Sequence, residues 1–269
     1  MNRRDGRAAG PRAHPTREPG GRDGAPAPTR ELRLYGFNAV QEMFARRSEA
    51  LRKLYLSQAR VHDLRELLAW CVSRRIGYRI VPDEDLRRLA ASSHHEGVVA
   101  DVLRVPPLAF DAWLAALPPG PCCALWLDGV GNPHNLGAIL RSAAHFGVAG
   151  LLLPEASELQ LSGAAARVAE GGAESVPLVR MGASDAGIEA LRATGFMLAA
   201  TLVKGGASLF DTPLPGRVIY VMGAEQHGMD RGLAQRCDLQ LSIPGTGAVE
   251  SLNVSAATAV LLAAWASGR

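Results

Sequence analysis

The sequence predicts an α/β protein of two domains, a small mixed domain followed by a larger one built on a parallel sheet. Three observations predict it. Short apolar runs alternate with helical patterns from Leu34 onward. The runs after Cys122 are continuously apolar, as in strands buried on both faces of a parallel sheet. Between the halves, Pro106, Pro107, Pro118, Pro119 and Pro121 punctuate a linker over residues 106–121. The 269 residues leave room for two ordinary domains of ~100–150 residues, and 48% hydrophobic content supports a substantial core.

Taken in order, residues 1–32 form a basic tail. Positions 1–30 hold ten Gly or Pro and almost nothing large and apolar, so disorder is expected. This tail is either a solvated arm or a direct contact to an acidic polymer. The small domain spans 33–105. A helix begins at Gly36-Phe37-Asn38-Ala39-Val40 with Asn38 as its cap, and runs to about Ala45. A strand follows at Leu51–Leu56, an amphipathic helix at Val61–Arg75, a strand at Tyr78–Val81, a short helix at Asp83–Ala91 and a strand at Gly97–Val105.

The second domain spans 122–269. Its expected strands are Cys123–Leu127, Gly150–Leu153, Phe196–Thr201, Arg217–Met222 and Leu239–Ile243. Helical patterns lie between them at Leu136–Phe146, Ser162–Glu170, Asp185–Ala193 and Arg231–Arg236, and a last one runs from Leu252 to Trp265.

Charge and cysteine usage narrow the function. Net charge is +3, but the tail carries +4, residues 31–120 carry +2 and residues 121–269 carry −3. The front of the molecule is therefore the part suited to an acidic partner such as RNA. Cys71, Cys122, Cys123 and Cys237 form no CxxC pair, which argues for thiols in a reducing compartment and against a disulfide set or a metal site. No apolar run reaches the ~18 residues of a membrane span, and residues 1–30 lack the apolar core of a secretory signal. A cytoplasmic location is expected.

Three blocks could carry chemistry, each following a predicted strand end, where open parallel sheets bind ligands. The first is Asp128-Gly129-Val130-Gly131-Asn132-Pro133-His134-Asn135, with Arg141 near two helical turns beyond Asn135. Alone, Asn135 would read as a helix cap and Arg141 as a surface charge. The second is Met222-Gly223-Ala224-Glu225-Gln226-His227-Gly228, which by itself is an ordinary strand-to-helix turn. The third is Ile243-Pro244-Gly245-Thr246-Gly247-Ala248-Val249-Glu250-Ser251-Leu252-Asn253-Val254-Ser255. There a glycine turn lets backbone approach a ligand, and the helix start offers free N–H groups. Ser251, Asn253 and Ser255 add polar groups that a structural turn would not need, although a cap explains one of them.

Together, Asn-x-Gly-x-x-x-Arg, Met-Gly-Ala-Glu and Ser-Leu-Asn-Val-Ser, in this order, resemble the three motifs of the SpoU (TrmH-type) RNA ribose 2′-O-methyltransferases of the SPOUT superfamily. Residues 34–105, with Gly36-Phe37-Asn38-Ala39-Val40 and His95-Glu96-Gly97-Val98-Val99-Ala100, resemble the L30e-like substrate-binding domain often fused ahead of it. The resemblance implies a deep trefoil knot, against the general rule that chains do not thread loops. It implies S-adenosylmethionine bound largely by backbone at Gly223, Ile243 and Leu252, a homodimer, an rRNA or tRNA substrate and no metal. It also implies active-site positions at Asn135, Arg141, Glu225, Ser251 and Asn253. Arg141 would deprotonate the 2′-hydroxyl with Ser251 tuning it, or would anchor phosphate, since arginine ordinarily stays protonated. Asn135 would position the ribose or support the site, and Glu225 and Asn253 would hold Arg141 and the loops. His134, His227 and Ser255 have weaker claims.

The chain departs from the pattern at Gln226, where glycine is common, and at Gly245, where methionine is frequent. Three rival readings stand beside this one: a non-catalytic RNA-binding or ribosome-assembly protein derived from a methyltransferase; a different nucleotide-dependent α/β enzyme; and a serine hydrolase using Ser251 and His227. The second lacks a GxGxxG phosphate loop and the third lacks a GxSxG elbow.

Overall fold

The structure, a computed structural model, describes residues 31–181, 185–224 and 228–268. The expectations for the tail at 1–30, and for Glu225, Gln226 and His227, lie outside the described residues.

The N-terminal domain runs β1 (Glu31–Tyr35), α1 (Phe37–Arg47), β2 (Leu51–Leu56), α2 (Arg65–Arg74), β3 (Gly77–Ile80), α3 (Asp83–Ala90) and β4 (Val98–Leu103). Its sheet order is β1-β4-β2-β3, with β4 antiparallel to both β1 and β2, and β3 parallel to β2. Six elements fall where the periodicity places them. β1 begins at Glu31, within the stretch expected to belong to the tail; alternating Leu32 and Leu34 bury against β4. No side chain of α1 caps it. Instead Glu96 Oε2 accepts the Phe37 N–H at 2.9 Å, and Asn38, the expected cap, bonds elsewhere.

The C-terminal domain continues with β5 (Leu108–Ala109), α4 (Phe110–Ala115), β6 (Cys122–Leu127), α5 (Pro133–Phe146), β7 (Leu151–Pro154), α6 (Gly163–Ala169) and β8 (Leu178–Met181). There follow α7 (Asp185–Ala193), β9 (Met197–Thr201), β10 (Ala207–Ser208), β11 (Arg217–Met222), α8 (Arg231–Arg236), β12 (Leu239–Ser242) and α9 (Val254–Ser267). Its eight-stranded sheet has the order β10-β12-β9-β11-β6-β7-β8-β5, and all its pairings are parallel. Two-sided burial is visible within β6. Cys123, Leu125 and Leu127 face one core with α5 and α9, while Cys122, Ala124 and Trp126 face the other with Trp113 and Phe196.

Residues 106–121, expected as a linker, carry β5 and α4 instead. β5 joins the sheet edge beside β8, and the Trp113 indole N–H of α4 donates to the Ala149 carbonyl at 2.9 Å. β8 and β10 also escaped the sequence reading, because each is too short to show a period.

The connection between β9 and β10 determines where the site forms. These strands are consecutive in the chain, yet β12 lies between them in the sheet, so residues 202–206 cross over β12. The Leu202 N–H donates to the Leu241 carbonyl at 2.8 Å, and the Gly206 N–H to Ser242 Oγ at 3.0 Å. A Cβ on Gly206 would sit 2.6 Å from the Leu241 carbonyl carbon, so only glycine lets the crossing segment lie this close.

Candidate active site

The C-terminal ends of β9, β11 and β12 open into one cleft of about 740 Å³, within the range of about 300–1,000 Å³ usual for small-molecule sites. One wall is the crossing segment with Leu202 and Lys204, a second is Met222–Ala224, and a third is Ile243 with Glu250–Val254. Gly223, Ile243 and Leu252, the expected cofactor contacts, all line it, as do Ser251 and Asn253. A side chain at position 223 would collide with the backbone of Gly228 and Met229, so this wall must be bare backbone.

The second block is held locally and from behind. Ala224 and Gly228 exchange backbone hydrogen bonds at 2.9 Å in each direction. The Asp128 N–H donates to the Met222 carbonyl at 2.7 Å. Burial pushes the Asp128 carboxyl above the usual range, and the neighbouring Asp230 charge adds to the rise while a backbone hydrogen bond from Asp230 opposes it. Asp230 in turn caps α8 by accepting the Leu233 N–H at 2.9 Å.

Asn135 is not the cap of α5. Asn132 caps it, accepting the His134 N–H at 2.9 Å, and Pro133 occupies the first turn. Asn135 therefore lies inside the helix and is buried, with its side chain turned to the third block. Asn253 Nδ2 donates to Asn135 Oδ1 at 3.2 Å. Asn253 itself caps α9, whose first residue is Val254, two later than expected; its Oδ1 accepts from the Ser255 N–H at 2.8 Å and the Ser255 hydroxyl at 2.6 Å. Ser255 is thereby assigned to the cap. One asparagine thus closes the helix start and joins the first and third blocks.

Arg141 lies on α5 and is not among the residues lining the cleft; its side chain is 64% exposed, with Nη1 3.9 Å from Glu170 Oε1. Ser251 and the loop from Pro244 to Asn253 face solvent. The departure at Gly245 falls on this exposed loop, where an added Cβ would meet nothing within 4 Å. Glu225 and His227 lie outside the described residues.

Sequence reasoning missed the crossing segment as a wall of the cleft. The available signal was Gly205-Gly206 directly after an apolar strand, beside one of only two lysines, Lys204. Among the described residues, no group of three or more His, Cys, Asp or Glu is placed to hold a metal ion, and no helix is long and apolar enough to cross a membrane.

Residues 123–263 match the SpoU rRNA Methylase family, and residues 33–107 match the RNA 2′-O ribose methyltransferase substrate-binding family. An uncharacterized tRNA/rRNA methyltransferase, YfiF of Escherichia coli O157:H7, is 36% identical over 235 residues, covering 87% of this chain and 68% of that protein. The 23S rRNA (guanosine-2′-O-)-methyltransferase RlmB of Salmonella typhimurium is 34% identical over 234 residues, covering 85% of this chain and 95% of that protein. Among solved structures, an AdoMet-bound rRNA methyltransferase from Sinorhizobium meliloti superposes with a TM-score of 0.72 at 23% identity, over 88% of this chain and 87% of that one. The SpoU methyltransferase AviRb of Streptomyces viridochromogenes, in complex with AdoMet, gives a TM-score of 0.71 at 24% identity, over 88% and 90%. Both share the fold.

Proposed function

The chain belongs to the SpoU rRNA methylase family, and we propose that it transfers a methyl group from S-adenosylmethionine to a ribose 2′-hydroxyl of ribosomal RNA. The observation that carries this reading is the convergence of the second and third blocks and the crossing segment on one cleft, to which the Asn253–Asn135 hydrogen bond ties the first block.

The residues present fit the cofactor. The walls at Gly223, Ile243 and Leu252 pair bare backbone with apolar side chains, which suits a nucleoside with a flexible polar chain. When bound, S-adenosylmethionine supplies an electrophilic methyl group on a sulfonium centre. The protein's share is to bring the ribose oxygen up to that methyl and to manage the hydroxyl proton.

Ser251 at the cleft mouth contacts the ribose, and Asn135 and Asn253 hold that mouth in shape. Arg141 approaches the RNA from the exposed face of α5. An exposed guanidinium suits a phosphate, which it can grip with two hydrogen bonds, and taking the hydroxyl proton would be its second role. Glu225 would steady Arg141 from the second block.

The crossing of residues 202–206 over β12 supports the deep trefoil knot that the family resemblance implies. The substrate-binding family match at 33–107 supports an L30e-like domain that recognises RNA by shape and charge. A homodimer is supported by α9. It carries no charged side chain, yet Ala256 and Ala263 are exposed, and a second copy would cover them. A ribosomal RNA substrate supports a cytoplasmic location.

The test is a ribose-methylation map of ribosomal and transfer RNA from cells with and without the gene, complemented by wild type or by Arg141→Ala. One 2′-O-methyl position lost on deletion and restored by wild type alone names the substrate. A map that never changes removes the methyl-transfer reading and favours an RNA-binding protein that has lost catalysis.

A further inference from the structure

Arg141 sits at the seam between the two domains, and a single carboxylate spans that seam. Glu170 ends α6 with φ 51°, a left-handed conformation that a non-glycine residue adopts at a cost. The turn aims its side chain at two groups. Oε2 accepts from Asn38 Nδ2 of the N-terminal domain at 2.6 Å, and Oε1 lies 3.9 Å from Arg141 Nη1.

Both ends of this bridge stand on rigid supports. α5, which carries Arg141, packs against α6 with backbone nearly in contact: a Cβ on Gly137 would lie 2.5 Å from the Ala165 carbonyl oxygen, and one on Gly172 would lie 2.7 Å from that of Leu140. On the other side, α1 is clamped at both ends onto the same region. Near its start, Glu96 accepts the Phe37 N–H at 2.9 Å and pairs with Arg167 of α6 at 3.0 Å. In its last turn, Arg47 forms a two-bond pair with Glu174, at 2.6 and 2.7 Å, with side chains 13% and 7% exposed. The placement of α1 therefore fixes Asn38, Asn38 fixes the Glu170 carboxylate, and that carboxylate lies beside the Arg141 guanidinium.

We propose that Glu170 is a positioning residue that couples the docking of the N-terminal domain to the orientation of Arg141. Its effect on rate rests on the methyl-transfer reading; the coupling itself does not. RNA held by the N-terminal domain is thus read at the site through α1 and one carboxylate. Glu170→Gln keeps an acceptor for Asn38 but removes the charge beside Arg141, whereas Asn38→Ala does the reverse.

The experiment uses the full chain labelled with nitrogen-15 at arginine, with the Arg141 Nε resonance assigned by its loss in Arg141→Lys. The resonance is expected to move in both Glu170→Gln and Asn38→Ala. It should stay in place in Arg46→Gln, which breaks only the exposed pair with Glu42. With 23S rRNA transcribed in vitro, Glu170→Gln should lower kcat about tenfold at unchanged S-adenosylmethionine affinity, as expected for a misplaced group. The same change in an Arg141→Lys background should alter the rate less than about twofold, because the partner is already displaced. A resonance indifferent to Asn38→Ala, or equal rate losses in the two backgrounds, overturns the coupling. A wild type that transfers no methyl while the resonance responds removes the methyl-transfer reading and leaves the coupling standing.

Discussion

Asn253 Nδ2 donates to Asn135 Oδ1 at 3.2 Å, joining residues 118 positions apart and tying α5 to the wall of the cleft. The other half of the same amide caps α9 through Oδ1. Asn253 therefore needs a donor and an acceptor at once, and no isosteric residue supplies both.

Asn253→Asp separates these two duties. The carboxylate still caps α9, so the melting temperature should change little, but it sets an acceptor against Asn135 Oδ1 and should slow methyl transfer by about tenfold or more. Asn253→Ala loses the cap as well and should cost about 1–2 kcal/mol, read by urea denaturation. Equal destabilisation by both variants would mean that the bond to Asn135 matters more for folding than the cap does.

Arg141→Ala should lower methyl transfer by about 100-fold or more while leaving S-adenosylmethionine affinity by calorimetry unchanged, because Arg141 lies outside the cleft. Retention of more than half the activity would dismiss it from the site.

Gly223→Ala puts a methyl group against the Gly228–Met229 backbone. Cofactor affinity should fall about tenfold or more as the wall shifts, with a smaller change in melting temperature. Unchanged affinity would show that the second block has room to give.

Glu174→Ala leaves the Arg47 guanidinium largely buried without its partner. The expected loss is about 3 kcal/mol, concentrated in the docking of the N-terminal domain, and hydrogen exchange in α1 should rise with it.

Asp128 carries a raised carboxyl pKa, so folding takes up a proton there, and stability falls as pH rises from the unfolded value through the folded one. Asp128→Asn keeps an acceptor for the Asp230 N–H and removes the charge. It should match wild type in stability below about pH 3.9, the ordinary Asp value. It should exceed wild type in stability at pH 7. Urea titrations at the two pH values decide this, and a wild type that is the more stable at pH 7 would reverse the sign.

Much of the candidate site was legible in the chain because the residues proposed for it sit in contiguous blocks that follow strands. The strands announced themselves as apolar runs, and glycines marked where backbone must approach a ligand. Gly223, Ile243, Leu252, Ser251 and Asn253 could all be named before any coordinates, and all line one cleft. The division of labour among the asparagines was not legible. Asn132, Asn135 and Asn253 each follow a strand and a turn, and local spacing does not say which one caps a helix and which one faces a partner over 100 residues away.

The sequence by itself determined the α/β class and the order of most elements, because these follow from local periodicity, and its resemblance to the family's three motifs named the residues proposed for the chemistry. Only the tertiary structure decided that residues 202–206 cross β12 and wall the cleft, that the stretch expected as a linker adds a strand and a helix, and that Glu170 meets both Asn38 and Arg141. Those features are pairings between segments distant in sequence. Their energy comes from packing and hydrogen bonds that exist only once the chain has closed on itself.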